Sequence, residues 1–173
     1  MDDPIRRQIA GSQSGFERLV AGIPGYRGYK EKELRREADK ALRMHLSGRF
    51  DEARRRLLGA MDQLTSAGRL GEAAALQKAN LRLQLLVDRL RTAPHGYAGW
   101  FDAIKVQQAE LDRLYAFDSA LATGADRVSE LVAKVAGQAA AGESTSAEAG
   151  ALANVIDELN DTFARRSEAI IGQ

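Results

Sequence analysis

Between Trp100 and Val135 the residues Ile104, Leu111, Leu114, Leu121, Ala125, Val128, Val132 and Val135 recur at spacings close to a heptad seam. A strand alternates its faces every two residues, so this pattern belongs to a long helix with one face against other helices. Unbroken, such a helix would run roughly 50 Å at 1.5 Å per residue, with Gly124 as the expected point of bending. The small and polar stretch GQAAAGESTSAEAG follows, and Thr145 with Glu148 gives a capping-box pattern for a last helix. That helix carries Leu152, Val155, Ile156, Leu159, Phe163 and Ile170. Its stripe has similar reach, which predicts a C-terminal antiparallel hairpin.

The rest of the chain has the same character. Ser14 and Glu17 form another capping box, so a short helix is expected to end before Pro24. A second should run from about Tyr29 to Ser47 with Leu34, Ala38, Ala41, Leu42 and His45 on one face, and Gly48 should stop it. A third follows from Phe50, with Ala53, Leu57, Ala60, Met61 and Leu64 on one face and Gly68 as its stop. From Leu70 to about Arg91, Leu76, Leu81, Leu83, Leu85, Leu86, Val87 and Leu90 cover more than one narrow stripe, as in a helix contacted from two sides. With 45% hydrophobic and 28% charged residues over 173 positions, the chain can bury one sizeable core. The expected class is all-α: a single domain forming an elongated antiparallel bundle of about five to six helices. Within it, 1–23 is an N-terminal helical segment, 29–99 a basic three-helix part, and 100–173 an acidic long helix with the C-terminal helix. Up-down-up-down order is expected for helices starting near Tyr29, Phe50, Leu70 and Trp100, which would set the two aromatic turns at opposite ends.

The punctuation repeats. SGRFDEA at Ser47–Ala53 and AGRLGEA at Ala67–Ala73 resemble the turn inside a tetratricopeptide repeat, where glycine ends one helix and an acidic residue followed by alanine opens the next. Gly48 and Gly68 are 20 residues apart, against roughly 34 in that family, so the resemblance implies helical hairpins rather than a repeat array. PGYRGYK at Pro24–Lys30 is echoed by PHGYAGWF at Pro94–Phe101. Together with the charged runs that follow, these segments resemble a family of uncharacterised prokaryotic helical proteins. That resemblance implies helix boundaries and no activity. The aromatic turns, Tyr26 with Tyr29 and Tyr97 with Trp100, fit core-capping side chains better than a base-stacking platform or ligand cage.

No GxxxxGK[ST], GxSxG or HExxH occurs, and neither His45 nor His95 has a second ligand at metal spacing. No catalytic residue, cofactor or metal is expected. Polar residues that interrupt apolar stripes are His45, Asn80 and Asp118. They could join as a buried His/Asp pair in a helical enzyme, but the favoured reading is that such single polar residues in the seams fix register by hydrogen bonding one another. There is no cysteine, and no stretch resembles an export signal or a membrane span. A cytoplasmic protein is therefore expected.

Charge is unevenly distributed. Residues 1–99 hold 19 Lys and Arg against 12 Asp and Glu, whereas residues 100–173 hold 6 against 12. The halves could complement each other within the fold, pair between molecules, or present Arg54, Arg55 and Arg56 to an anionic partner. Interleaved acids argue against a strong nucleic-acid face. The leading expectation is a scaffold or protein-protein interaction module whose partner is another protein or a second copy. RNA, DNA or acidic-membrane binding through the basic half comes second, and a His/Asp enzyme third. An unbroken helix from Trp100 would project beyond its shorter neighbours, leaving Val128, Leu131, Val135 and Ile156 partly available to a partner.

Overall fold

A computed structural model describes residues 35–93 and 108–171. The expected helix before Pro24, the four aromatic-turn residues and His95 lie outside that range. Among the described residues there are four helices and no strand: α1 (Arg35–Ser66), α2 (Leu70–Thr92), α3 (Gln108–Ala141) and α4 (Ser146–Ile171). None is long and apolar enough to cross a membrane.

The largest correction concerns α1. Gly48 does not end a helix, and SGRFDEA is not a turn, because one helix of 32 residues runs through it. The reason lies in the periodicity. Leu46, Phe50, Ala53, Leu57, Ala60 and Leu64 alternate in steps of four and three, and all are buried. Asp39 and Arg43 continue that alternation backwards across Gly48 without a phase shift. Breaking the helix there would misplace half the seam. Gly48 is on the exposed face, where its cost of roughly 1 kcal/mol relative to alanine is small beside the burial of Leu42, Leu46 and Phe50. The second glycine does make a turn: Gly68 adopts φ 74°, and the Gly68 and Arg69 amides bond back to Thr65 and Leu64 carbonyls. Gly142, also at φ 74°, turns α3 into α4.

α1 packs beside α2 and α3, and α4 beside α3 and α2, leaving α1/α4 and α2/α3 on the diagonals. Ion pairs fix the directions. Arg49 meets Asp126, and Arg166 bridges Asp39 and Asp118, so α1 and α3 run parallel. Glu72 meets Thr145 and Arg82 meets Asp157, so α2 and α4 run parallel as well. Each hairpin is internally antiparallel, and up-down alternation holds for these four helices rather than for those expected. Consequently the starts of α1 and α3 share one end, which we call the open end. This is contrary to the expected separation of the helix starts after the two aromatic turns.

The length of α1 also removes the projection expected of the C-terminal hairpin. α3 has 34 residues, nearly matched by α1, so its seam is covered along its length. Val128, Val135 and Ile156 are fully buried, and Leu131 packs against the core from a partly buried position. They therefore do not form the exposed surface expected from the sequence. α3 is continuous through Gly124, and the role of that residue is proximity rather than bending. A Cβ there would run into the Leu159 side chain, with Leu159 Cγ only 3.0 Å away.

Candidate functional site

The most concentrated polar chemistry lies in the core near the open end. Asp39 and Arg43 on α1, Asp118 on α3 and Arg166 on α4 are all buried, Asp118 and Arg166 completely. Arg166 donates through Nη2 to Asp39 Oδ1 and through Nε to Asp118 Oδ1, both at 2.6 Å. Arg43 Nε donates to Asp39 Oδ2 at 2.8 Å, and its Nη1 reaches the Leu90 carbonyl of α2 at 2.9 Å. Two carboxylates and two guanidinium groups thus tie all four helices together without net charge. Balance is what permits the burial, since an isolated ion here would cost several kcal/mol.

Asp118 is among the polar residues singled out from the sequence, but its partner Arg166 is not. Asp39 and Arg43 stand at the i,i+4 spacing that solvated helix faces also show. A signal existed: Leu152, Leu159 and Arg166 are spaced by seven, which puts the arginine in line with a core seam. The arrangement in which His45, Asn80 and Asp118 would meet, weighed above as the lesser alternative, does not occur as a hydrogen-bonded group among the described residues. His45 is half-buried on α1, and burial followed by the charge of Arg49 lowers its imidazole pKa. Asn80 is buried in the α2 seam. Among the described residues, no cluster of three or more His, Asp or Glu is arranged to hold a metal ion.

The three arginines of the basic run differ in their surroundings. Arg54 Nε lies 3.3 Å from Asp51, which also accepts from Arg91. Arg56 lies 2.5 Å from Glu52, and Arg55 is exposed. Arg49, Glu52, Ala53, Arg56 and Ser129 line a groove between α1 and α3. Its arginines face acids, Arg49 reaching Asp126 at 2.5 Å. Together with Arg82–Asp157, this pair joins the basic hairpin to the acidic one, so part of the charge asymmetry is complemented within the fold.

At the opposite end, Glu72 clamps the two turns. Its carboxylate accepts from Arg69 Nε and Nη2, each at 2.8 Å, and from the Thr145 amide and hydroxyl at 2.8 and 2.9 Å. Thr145 is thus the residue before α4 as expected, but Glu72 from α2, rather than Glu148, accepts its backbone N–H. Arg69, then the Thr145 amide and hydroxyl, hold the Glu72 carboxyl down at about 2.

The outward face of α2 differs from these paired surfaces. Leu81 and Leu85 are one turn apart and remain 59% and 51% exposed, and Leu70 at the helix start is 62% exposed. The two-sided apolar character expected of this helix is therefore real, but α1 and α4 occupy only its inner side. The chain matches no protein-family model, no curated protein and no solved structure.

Proposed function

We propose that this protein is a non-catalytic interaction module: a helical scaffold that offers a helix face to another protein chain, in the cytoplasm. The observation that carries the reading is the adjacent Leu81 and Leu85 pair, exposed on a bundle whose long seams are otherwise filled. Single exposed leucines are ordinary, but neighbours one helical turn apart form a small apolar strip of the kind helix grooves receive. The buried charges support the same reading. Asp118 is enclosed and held by Arg166, an arrangement suited to joining helices rather than to exchanging protons.

A photo-reactive amino acid at position 81 should cross-link to protein in the native host, while one at exposed position 134 on α3 should not. Equal labelling from both positions, or none from either, would sink the proposal. The anion-binding reading has less support, because Arg54 and Arg56 already have carboxylate partners. Weak binding to RNA or DNA that disappears with modest salt is its expected limit.

A further inference from the structure

We infer that the occupant of the outward face of α2 is a second copy of this chain, bound antiparallel across a two-fold axis between Leu81 and Leu85. This deepens the interaction-module reading and rests on it.

α2 carries two heptad stripes. Its inner stripe includes Leu76, Asn80, Leu83, Val87 and Leu90, all buried. Its outer stripe is Ala74, Lys78, Leu81, Leu85, Asp88 and Thr92, which follow one another in steps of four and three and are all exposed. Such spacing is the seam of a two-helix contact. The order of chemistry along it is small, basic, leucine, leucine, acidic, small. A two-fold axis at its centre sets Leu81 against Leu85 of the second copy, Lys78 against its Asp88, and Ala74 against its Thr92. Each contact then occurs twice. A parallel pairing would instead oppose Lys78 with Lys78 and Asp88 with Asp88, which is repulsive.

The charges are available for this role. The Asp88 carboxylate accepts from Gln84 Nε2 at 2.8 Å on its own helix, and Lys78 has no ion pair among the described residues. Because one helix from each copy supplies the contact, the buried area is small, and a dissociation constant on the order of 100 µM is expected.

The test is sedimentation equilibrium of the full chain at low salt, up to about 1 mM. Wild type should enter a monomer-dimer equilibrium. Leu81→Glu and Leu85→Glu should abolish it with helicity and thermal stability unchanged, since both side chains are exposed. Lys78→Glu and Asp88→Lys should each weaken association about tenfold. An equimolar mixture of those two variants should recover it, because the mixed pair restores both opposite-charge contacts. A monomer at every concentration would overturn the inference, as would association indifferent to these substitutions or a mixture that fails to recover. Loss of monomer stability in Leu81→Glu would do the same, by showing that this chain covers its own face. Cross-linking from position 81 to a different protein, with the isolated chain monomeric, would reject the second copy and leave the interaction-module reading standing.

Discussion

Arg166 Nη2 lies 2.6 Å from Asp39 Oδ1 across 127 positions of sequence, and both side chains are withdrawn from water. The same guanidinium holds Asp118. Removing it would leave both acids without this donor inside the core. Arg166→Met should therefore destabilise the protein by about 3–5 kcal/mol. Adding Asp118→Asn should cost less than the two single changes together, a coupling that denaturant unfolding in a double-mutant cycle would measure. Strict additivity would mean that the two groups contribute independently.

Two glycines should respond in opposite directions to alanine. Gly48→Ala, on the exposed face of α1 with open space for a Cβ, should stabilise by about 0.5–1 kcal/mol. Gly124→Ala gains the same helix propensity but drives a methyl into buried Leu159, and should destabilise by about 1–3 kcal/mol. Midpoints of urea unfolding would read both. A destabilising Gly48→Ala would argue for a break in α1.

Val128→Glu should unfold the protein rather than loosen an interface. Val128 is fully buried in α3, and a carboxylate there has no partner within the seam, so a loss of several kcal/mol is expected. Far-ultraviolet circular dichroism should show reduced helicity or a sharply lowered melting temperature.

Acid should weaken the end clamped by Glu72. A folded-state carboxyl held at about 2 and a higher value in the unfolded chain mean that the unfolded state takes up protons first. The resulting stability is present above the ordinary glutamate pKa and is lost progressively as pH falls toward 2. In Glu72→Gln the part of the acid limb due to this residue should disappear, leaving a shallower decline in melting temperature below pH 4.5. An unchanged slope would show that Glu72 has no such role.

The all-helical class was legible because apolar spacing is a local property: the seams of α2, α3 and α4 can be followed residue by residue. The continuity of α1 was legible in principle too, since Leu46 and Phe50 keep phase across Gly48, but glycine read as punctuation outweighed the phase of the stripe. The buried charges were harder. Asp39 and Arg43 have the same i,i+4 spacing whether they face water or core, and only the arrival of Arg166 and Leu90 from distant positions distinguishes the two cases. Expecting Val128 and Ile156 to be partly available to a partner was a consequence of the same misread glycine, because a halved α1 would have been too short to cover α3. The outer stripe of α2 was visible in sequence only as an excess of leucine. Its separation into inner and outer faces required knowledge of where α1 and α4 stand.

The two ends of the bundle handle the chain differently. At one, short turns at Gly68 and Gly142 return the helices, and Glu72 fastens one turn to the other. At the other lie the start of α1, the end of α2, the start of α3 and the end of α4, around the Arg166 cluster. Both helix starts and both helix ends that are not joined by these turns therefore lie, among the described residues, at a single pole. A reporter placed in the Gly142 turn would stand about 50 Å from that pole at 1.5 Å per helical residue, so the described helix ends and the two turns are separated by the full length of α3.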